Sequence, residues 1–218
     1  MNTAPLKAEW WQTLSRVDCG RGPLDVFRDF VTLAACTLHS PTRETEYHQA
    51  LAPYVASEDR FLFPLAFGQL MHERLHAPFV DTLGPVYMLL ASTYRKQDLG
   101  AFYTPQHVSD LMAEMTVPGS LAEHPADQPF LIQEPAVGSG GMLLSAARVA
   151  ERYGALDRLV CEAWDVDFLA TQMAVVNLSL AGVRGLVVHG DSLKQTRHAE
   201  WYTNTGFMST AMSVLRAM

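Results

Sequence analysis

FLIQEPAVGSGGMLLSAARVAERYG, Phe130 to Gly154, reads as an apolar strand that runs into a glycine-rich turn and opens a helix. Gly138, Gly140 and Gly141 let the backbone turn tightly and approach a ligand without Cβ clashes, and the free N–H groups at a helix start favour a polar or anionic group. Turns of this composition also join strands to helices that bind nothing, so the neighbouring segments decide the meaning. The next strand, LVCEAWDVD, runs from Leu159 and ends in Asp165 and Asp167; the third, LVVHGDSL, runs from Leu186 and ends in Gly190 and Asp191. Taken singly, each aspartate reads as a helix cap or turn residue. As an ordered set at successive strand tips they face one carboxyl-end crevice, where open α/β sheets bind ligands and an acidic side chain takes a ribose diol.

Working outward, helical patterns at Met142 to Tyr153 and Phe168 to Ala181 separate strand-like runs at Phe130 to Gln133, Leu159 to Trp164 and Leu186 to His189. Strand and helix in alternation predict an α/β fold with a parallel sheet and right-handed crossovers, a Rossmann-like half-domain. From Leu24 to Tyr94 the apolar residues fall at helical spacing, and Pro41, Pro53, Pro64, Pro78 and Pro85 divide them into helices of moderate length. The expected division is an N-terminal helical domain over 1–97 and a Rossmann-like domain over 98–218, its sheet truncated after the third strand.

The composition narrows the partners. Of 218 residues, 49% are hydrophobic and 18% charged, enough to bury a core, and the formal net charge is -7. A protein that grips DNA alone gains much of its affinity from basic surface, so a DNA-acting chain of this charge needs a local basic patch or a partner subunit. The start, MNTAPLKAEWWQTL, has no basic segment followed by an apolar run, and no stretch reaches the roughly 18 apolar residues that cross a bilayer; the expectation is a cytoplasmic protein without membrane association. Cys19, Cys36 and Cys161 are odd in number and lack a C-x-x-C pair, which points to free, buried thiols.

These residues resemble the N6-adenine DNA methylases typified by the modification subunit of type I restriction systems, above all the compact members of phages and mobile elements. The family's G-x-[FY]-[FY]-T-P segment stands here as GAFYTP, Gly100 to Pro105; its glycine turn as EPAVGSGG, with Glu134 where Asp is usual; and its G-[DN]-[ST]-L segment as GDSL, Gly190 to Leu193. NLSLAG, Asn177 to Gly182, is similar to the family's second helix. The resemblance implies a Rossmann-like core that binds S-adenosyl-L-methionine and transfers its methyl group to adenine N6 in DNA. It implies that Phe102, Tyr103, Thr104 and Pro105 flank the methionine moiety, that Glu134 and Pro135 lead into the turn with Glu134 on the ammonium, and that Gly138, Ser139 and Gly140 lie against it. Asp165 would hold the ribose and Asp191 the cofactor adenine.

The family's target-base motif, N-P-P-[FYW] after a fourth strand, does not occur. The nearest match, NTGF, makes Asn204 and Phe207 the catalytic candidates, an amide and an aromatic three apart without the prolines. Its lead-in, RHAEWYT, reads as a poor buried strand, although WYT resembles a W-Y-T-P segment of the mobile-element branch. A sheet ending after its third strand leaves Phe130 to Gln133 as an apolar edge, so the tail from Phe207 to Leu215 or a second chain is expected to cover it, in a homodimer or a larger complex. The alternative reading is a catalytically inactive relative that keeps the fold as a binding or assembly module in a restriction-modification or mobile-element system. A minor one is zinc hydrolysis at HERLH, where His72, Glu73 and His76 fit the H-E-x-x-H pattern literally. No third ligand stands at a recognised spacing, and a structural metal is not expected.

Overall fold

The computed structural model describes residues 4–39, 42–94 and 103–204, and the chain divides into two units, Met1–Ala77 with Thr82–Phe102, and Pro78–Asp81 with Tyr103–Met218. In the first, proline and glycine punctuation cuts the chain into α1 (Glu9–Leu14), α2 (Pro23–Leu38), α3 (Glu44–Leu51), α4 (Leu62–His76) and α5 (Leu83–Tyr94). Pro23, just after Gly22, starts α2 where its missing N–H costs nothing, and the helix buries Phe27, Phe30 and Val31. Trp10 stacks on Phe30 at 5.5 Å between ring centroids and Tyr87 of α5 on Phe27 at 6.2 Å, a core of aromatic pairs. Asp29 is held in this core by the Tyr54 hydroxyl at 2.7 Å and Arg21 at 2.9 Å; burial pushes the carboxyl above its usual range and the Tyr54 hydroxyl up as well.

The second unit is α/β. α6 (Gln106–Glu123) leads to β1 (Phe130–Glu134), α7 (Gly141–Arg152), β2 (Leu159–Asp165), α8 (Phe168–Leu180), β3 (Arg184–Asp191) and β4 (Thr196–Thr203). The sheet order is β1-β2-β3-β4, with β1 and β2 parallel to their successors, so Glu134, Asp165 and Asp191 end three neighbouring strands at the same end. α7 is amphipathic, burying Leu143, Leu144, Ala147 and Val149, and α8, buried from Ala170 to Leu178, packs on β2, β3 and β4. α6 is joined to α7 by a polar seam. Asp110 accepts from Ser145 Oγ at 2.7 Å and Gln106 Nε2 at 2.8 Å and pairs with Arg148 at 3.0 Å. Burial works against the Asp110 carboxylate, yet these donors outweigh it and hold the carboxyl below its usual range.

The expected truncation after the third strand is corrected here. β4 pairs antiparallel with β3, which makes the sheet four-stranded and mixed, with a bulge where the register shifts at His189 and Gly190. RHAEWYT forms a strand because its polar side chains find lateral partners. Arg197 pairs with Glu162 of β2 at 3.3 Å and Glu200 at 2.8 Å and lies 4.7 Å over the Trp164 ring, and Tyr202 donates to Glu200. Glu162, 7% exposed, also accepts from Trp164 Nε1 and Gln133 Nε2, so its charge is satisfied across three strands. On the other side of β4, Trp201 is buried, and Thr203 donates to the Val183 carbonyl.

Among the described residues β1 pairs with β2 alone, and a groove of about 560 Å³ runs beside its outer edge, lined by Val117, Ser120, His124, Phe130 and Ile132. The tail expected to cover this edge, Phe207 to Leu215, lies outside the described residues. Cys36 and Cys161 are buried free thiols, pushed by burial up to about 11 and about 12, while Cys19 is partly exposed. No helix among the described residues is long and apolar enough to cross a membrane.

Gly185 on β3 lies so close to β2 that a Cβ there would collide with the Cys161 carbonyl, whereas Gly119 on α6 faces open space. Gly185→Ala is expected to lower stability by about 1–3 kcal/mol through backbone displacement, and Gly119→Ala to be neutral or mildly stabilising. Urea unfolding of both variants checks this; equal midpoints would mean that the β2–β3 spacing yields freely.

Candidate functional site

The carboxyl ends of β1 and β2 are bound together by one turn. After Glu134 the chain bends at Pro135, and Val137 donates its N–H to the Trp164 carbonyl at 2.8 Å, fastening the turn to the end of β2. Gly138 and Gly140 then take left-handed conformations, φ +55° and +94°, strained for any residue with a side chain. The Gly138 N–H donates to Asp165 Oδ2 at 2.8 Å, and the Asp167 N–H to Asp165 Oδ1 at 2.8 Å. Asp165 is therefore both the tip of β2 and the acceptor that fixes the glycine turn, with a lone pair of each oxygen still to offer. Asp167 caps α8, accepting from the N–H groups of Leu169 and Ala170.

The left-handed φ at both positions, with a close approach at Gly138, explains why the turn is glycine-rich. A Cβ on Gly138 would stand 3.0 Å from the Tyr103 ring, whereas one on Gly140 would be in ordinary contact, 3.5 Å from Ala174 Cα of α8. Between them Ser139 is gripped twice: its hydroxyl donates to Asp81, and its carbonyl accepts from Asn177 Nδ2 at 2.8 Å. Asn177 also donates to Asp81 Oδ1 at 2.9 Å. α7 then begins at Gly141 with no side-chain cap, leaving its first N–H groups without an intrahelical partner.

Of the residues singled out from the sequence, Tyr103, Gly138, Ser139, Gly140 and Asp165 converge on this turn. Glu134 ends β1 and turns its carboxylate back to accept from the Ala136 N–H at 3.1 Å; Pro135 is exposed beside it. Pro105 stands at the N-cap of α6, and Thr104 Oγ1 lies 4.0 Å from Met142 Sδ on α7. Asp191 shares the sheet end but is engaged in the β3–β4 turn: it accepts from the N–H groups of Leu193 and Lys194 at 3.0 Å each and pairs with Lys194 Nζ at 3.1 Å. The Lys194 N–H and ammonium, chief among these donors, hold its carboxyl below the usual range. Phe102 and Phe207 lie outside the described residues.

Asn204 is not at the crevice. It follows Thr203, which pairs with Gly185 at the opening of β3, and its amide donates to the Val183 carbonyl at 2.9 Å and the Ser179 carbonyl at 3.3 Å. The β3–β4 hairpin carries it to the opposite end of the sheet from Asp165 and Asp191, where it ties the close of α8 to the sheet. His72 and His76 lie on exposed turns of α4, ring centroids 4.9 Å apart, and burial pushes the Glu73 carboxyl up. Among the described residues no group of three or more His, Cys, Asp or Glu is placed to hold a metal ion.

Two residues of this arrangement escaped the sequence. Asn177 left a trace, since a lone amide in the apolar run MAVVNLSL must find buried partners. Asp81 left none: it lies 58 positions from Ser139 and 96 from Asn177. The side chains gathered here are rich in carboxylates, Asp81, Glu134 and Asp165 at the turn and Asp191 beside them, and the cation Lys194 is paired with Asp191.

Residues 79–213 match the family model described as N-6 DNA Methylase. The match opens just before Asp81 and takes in the glycine turn, all four strands and the helices between them. No solved structure matches the chain.

Removing Asp165 would strand the buried Gly138 N–H. Asp165→Ala is expected to cost about 1–3 kcal/mol in urea unfolding; a loss below about 0.5 kcal/mol would show that the turn stands without it.

Proposed function

The chain belongs to the N-6 DNA Methylase family, and from that premise we propose that it binds S-adenosylmethionine at the Gly138–Gly141 turn and serves adenine-N6 methylation of DNA. The observation that carries this reading is a left-handed glycine turn, fixed by Asp165 and walled by Tyr103, at the uncapped start of α7 and among carboxylates. This donor and acceptor set suits a cationic ligand with an amino-acid tail and a diol. A dinucleotide, whose pyrophosphate would share the turn with Asp81, Glu134 and Asp165, is disfavoured by like charge.

When bound, S-adenosylmethionine supplies a methyl group on a sulfonium, electrophilic at the carbon. The residues of the chain then have distinct tasks. Glu134 neutralises the ammonium, the first N–H groups of α7 take the carboxylate, and Asp165 uses its remaining lone pairs on the ribose. Tyr103, Thr104 and Pro105 flank the methionine end and exclude water from it, with Phe102 as the outer neighbour the resemblance implies. Asp191, committed to its own turn, shapes the wall of the crevice on the adenine side. The division into a helical portion over 1–97 and a cofactor domain over 98–218 accompanies this proposal, as does a cytoplasmic setting.

A second reading has support of its own. The target-base motif is missing from the sequence, and Asn204, the nearest substitute, is bonded to backbone at the other end of the sheet. A protein that holds the cofactor while a partner subunit grips the flipped adenine, or that acts as an assembly module in a restriction-modification or mobile-element system, fits both facts. The net charge of -7 agrees with dependence on a partner for DNA.

Calorimetric titration with S-adenosylmethionine is expected to show binding that Gly138→Val weakens at least tenfold, about 1.4 kcal/mol. Tritiated methyl transfer to mixed duplex DNA, by the chain alone and with candidate partners, separates the two readings. Binding with transfer by the pure chain supports the enzyme, binding without it the module, and wild-type protein that does not bind overturns the pocket.

A further inference from the structure

Ser139 stands between two glycines in left-handed conformations, Gly138 and Gly140, the most freely rotating arrangement a turn can have. One backbone bond of the turn, from the Gly140 N–H to the Val137 carbonyl at 2.9 Å, orients the Ser139–Gly140 peptide plane. The remaining holds come from side chains. Asp165 takes the N–H of Gly138 from one side, and the pair Asp81 and Asn177 holds the hydroxyl and the carbonyl of Ser139 from the other.

Asp81 is the centre of the second grip. Its two carboxylate oxygens accept from Ser139 Oγ and from Asn177 Nδ2, and its own N–H donates to Gln106 Oε1 at 3.4 Å, near the start of α6. Asn177 and Ser139 are buried, 0% and 2% exposed, so each bond is made where water is a poor substitute. Asn177 gives one amide hydrogen to Asp81 and the other to the Ser139 carbonyl, so the carboxylate also fixes which way that amide faces. The Asp81 carboxylate further lies beside Gly141, where a Cβ would stand 3.8 Å from Oδ2, at the first residue of α7. The segment Pro78–Asp81 belongs to the second unit, although the chain before and after it belongs to the first; this short excursion delivers Asp81 to the turn. The family match begins at residue 79, within the same excursion.

We propose that Asp81 is the positioning residue of the ligand turn: through Ser139 and Asn177 it sets the direction of the backbone N–H groups that receive the amino-acid end of S-adenosylmethionine. Asp81 itself touches no ligand in this scheme, and its effect on affinity rests on the cofactor reading given above. An acceptor is required only toward Asn177, whose amide nitrogen can do nothing but donate. An amide at this position would keep both contacts, accepting from Asn177 and donating to a reversed Ser139 hydroxyl, but would exchange charge-assisted bonds for weaker neutral ones.

The test compares wild type, Asp81→Asn, Asp81→Ala, Ser139→Ala and the double variant Asp81→Ala with Ser139→Ala, using the full chain throughout. Two readouts are taken: calorimetric affinity for S-adenosylmethionine, and amide hydrogen exchange of the free protein. Asp81→Ala is expected to weaken affinity at least about tenfold and Asp81→Asn by less, and the double variant to be little worse than Asp81→Ala, since the Ser139 hydroxyl acts through Asp81. In the free protein, amides of 138–144 are expected to exchange about tenfold faster while those of β2 and β3 keep wild-type protection. Wild-type exchange over 138–144 in both Asp81 variants overturns the proposal, and so does faster exchange with unchanged affinity, which would reduce Asp81 to a structural bond. Faster exchange spread equally over β2 and β3 also overturns it, since Asp81 would then serve the whole unit. If wild type itself fails to bind, the cofactor reading falls, and the exchange data alone decide whether Asp81 organises the turn.

Discussion

The bond from the Gly138 N–H to the Asp165 carboxylate is the constraint on which the second unit turns. Parallel strands must return through crossovers, and the crossover from β1 to β2 places the end of one strand beside the end of the next. A carboxylate at the tip of β2 meets a turn rising from the tip of β1, and with Val137 bonded to the Trp164 carbonyl the two ends are locked together. α7 inherits its direction from this lock. Asp81 and Asn177 complete the hold from α8 and from the excursion at 78–81, so residues far apart in the chain act on one tripeptide.

Charge follows from the same geometry. Backbone N–H groups at a helix start attract anions, yet here they are surrounded by Asp81, Glu134 and Asp165, with Asp191 on the adjoining strand. On the proposed reading such a site would favour a ligand with both a carboxylate and cationic centres over one bearing only phosphates. For DNA the acidic balance of the chain works the other way, since phosphates gain affinity from basic surface.

The sequence was most legible where period and turn chemistry agree. The run from Phe130 to Gly154 forms β1, the glycine turn and α7 with boundaries within one residue of expectation, and β2 and α8 follow as closely. β4 was illegible because the reasons for it are lateral. Arg197 and Glu200 look like surface charges in RHAEWYT, and only the neighbouring Glu162 and Trp164 of β2 make them strand residues. The position of Asn204 depends on the same strand, which reverses the chain and carries it to the other end of the sheet. Asp191 illustrates a subtler limit: its position at a strand tip was legible, but its engagement with Leu193 and Lys194 depends on a hairpin the sequence did not announce. Asp81 carries no local signal whatever, because its partners come from α8 and the turn.

On the reading proposed above, the Gly138–Gly141 turn is the seat of S-adenosylmethionine. Backbone amide shift mapping of nitrogen-15-labelled protein during titration with that cofactor addresses it most directly. Saturable shifts concentrated at Tyr103, Gly138 to Gly141 and Asp165 to Asp167 are the predicted result. Shifts confined to α4 around His72 and His76, or a turn that does not respond at saturating cofactor, would contradict it.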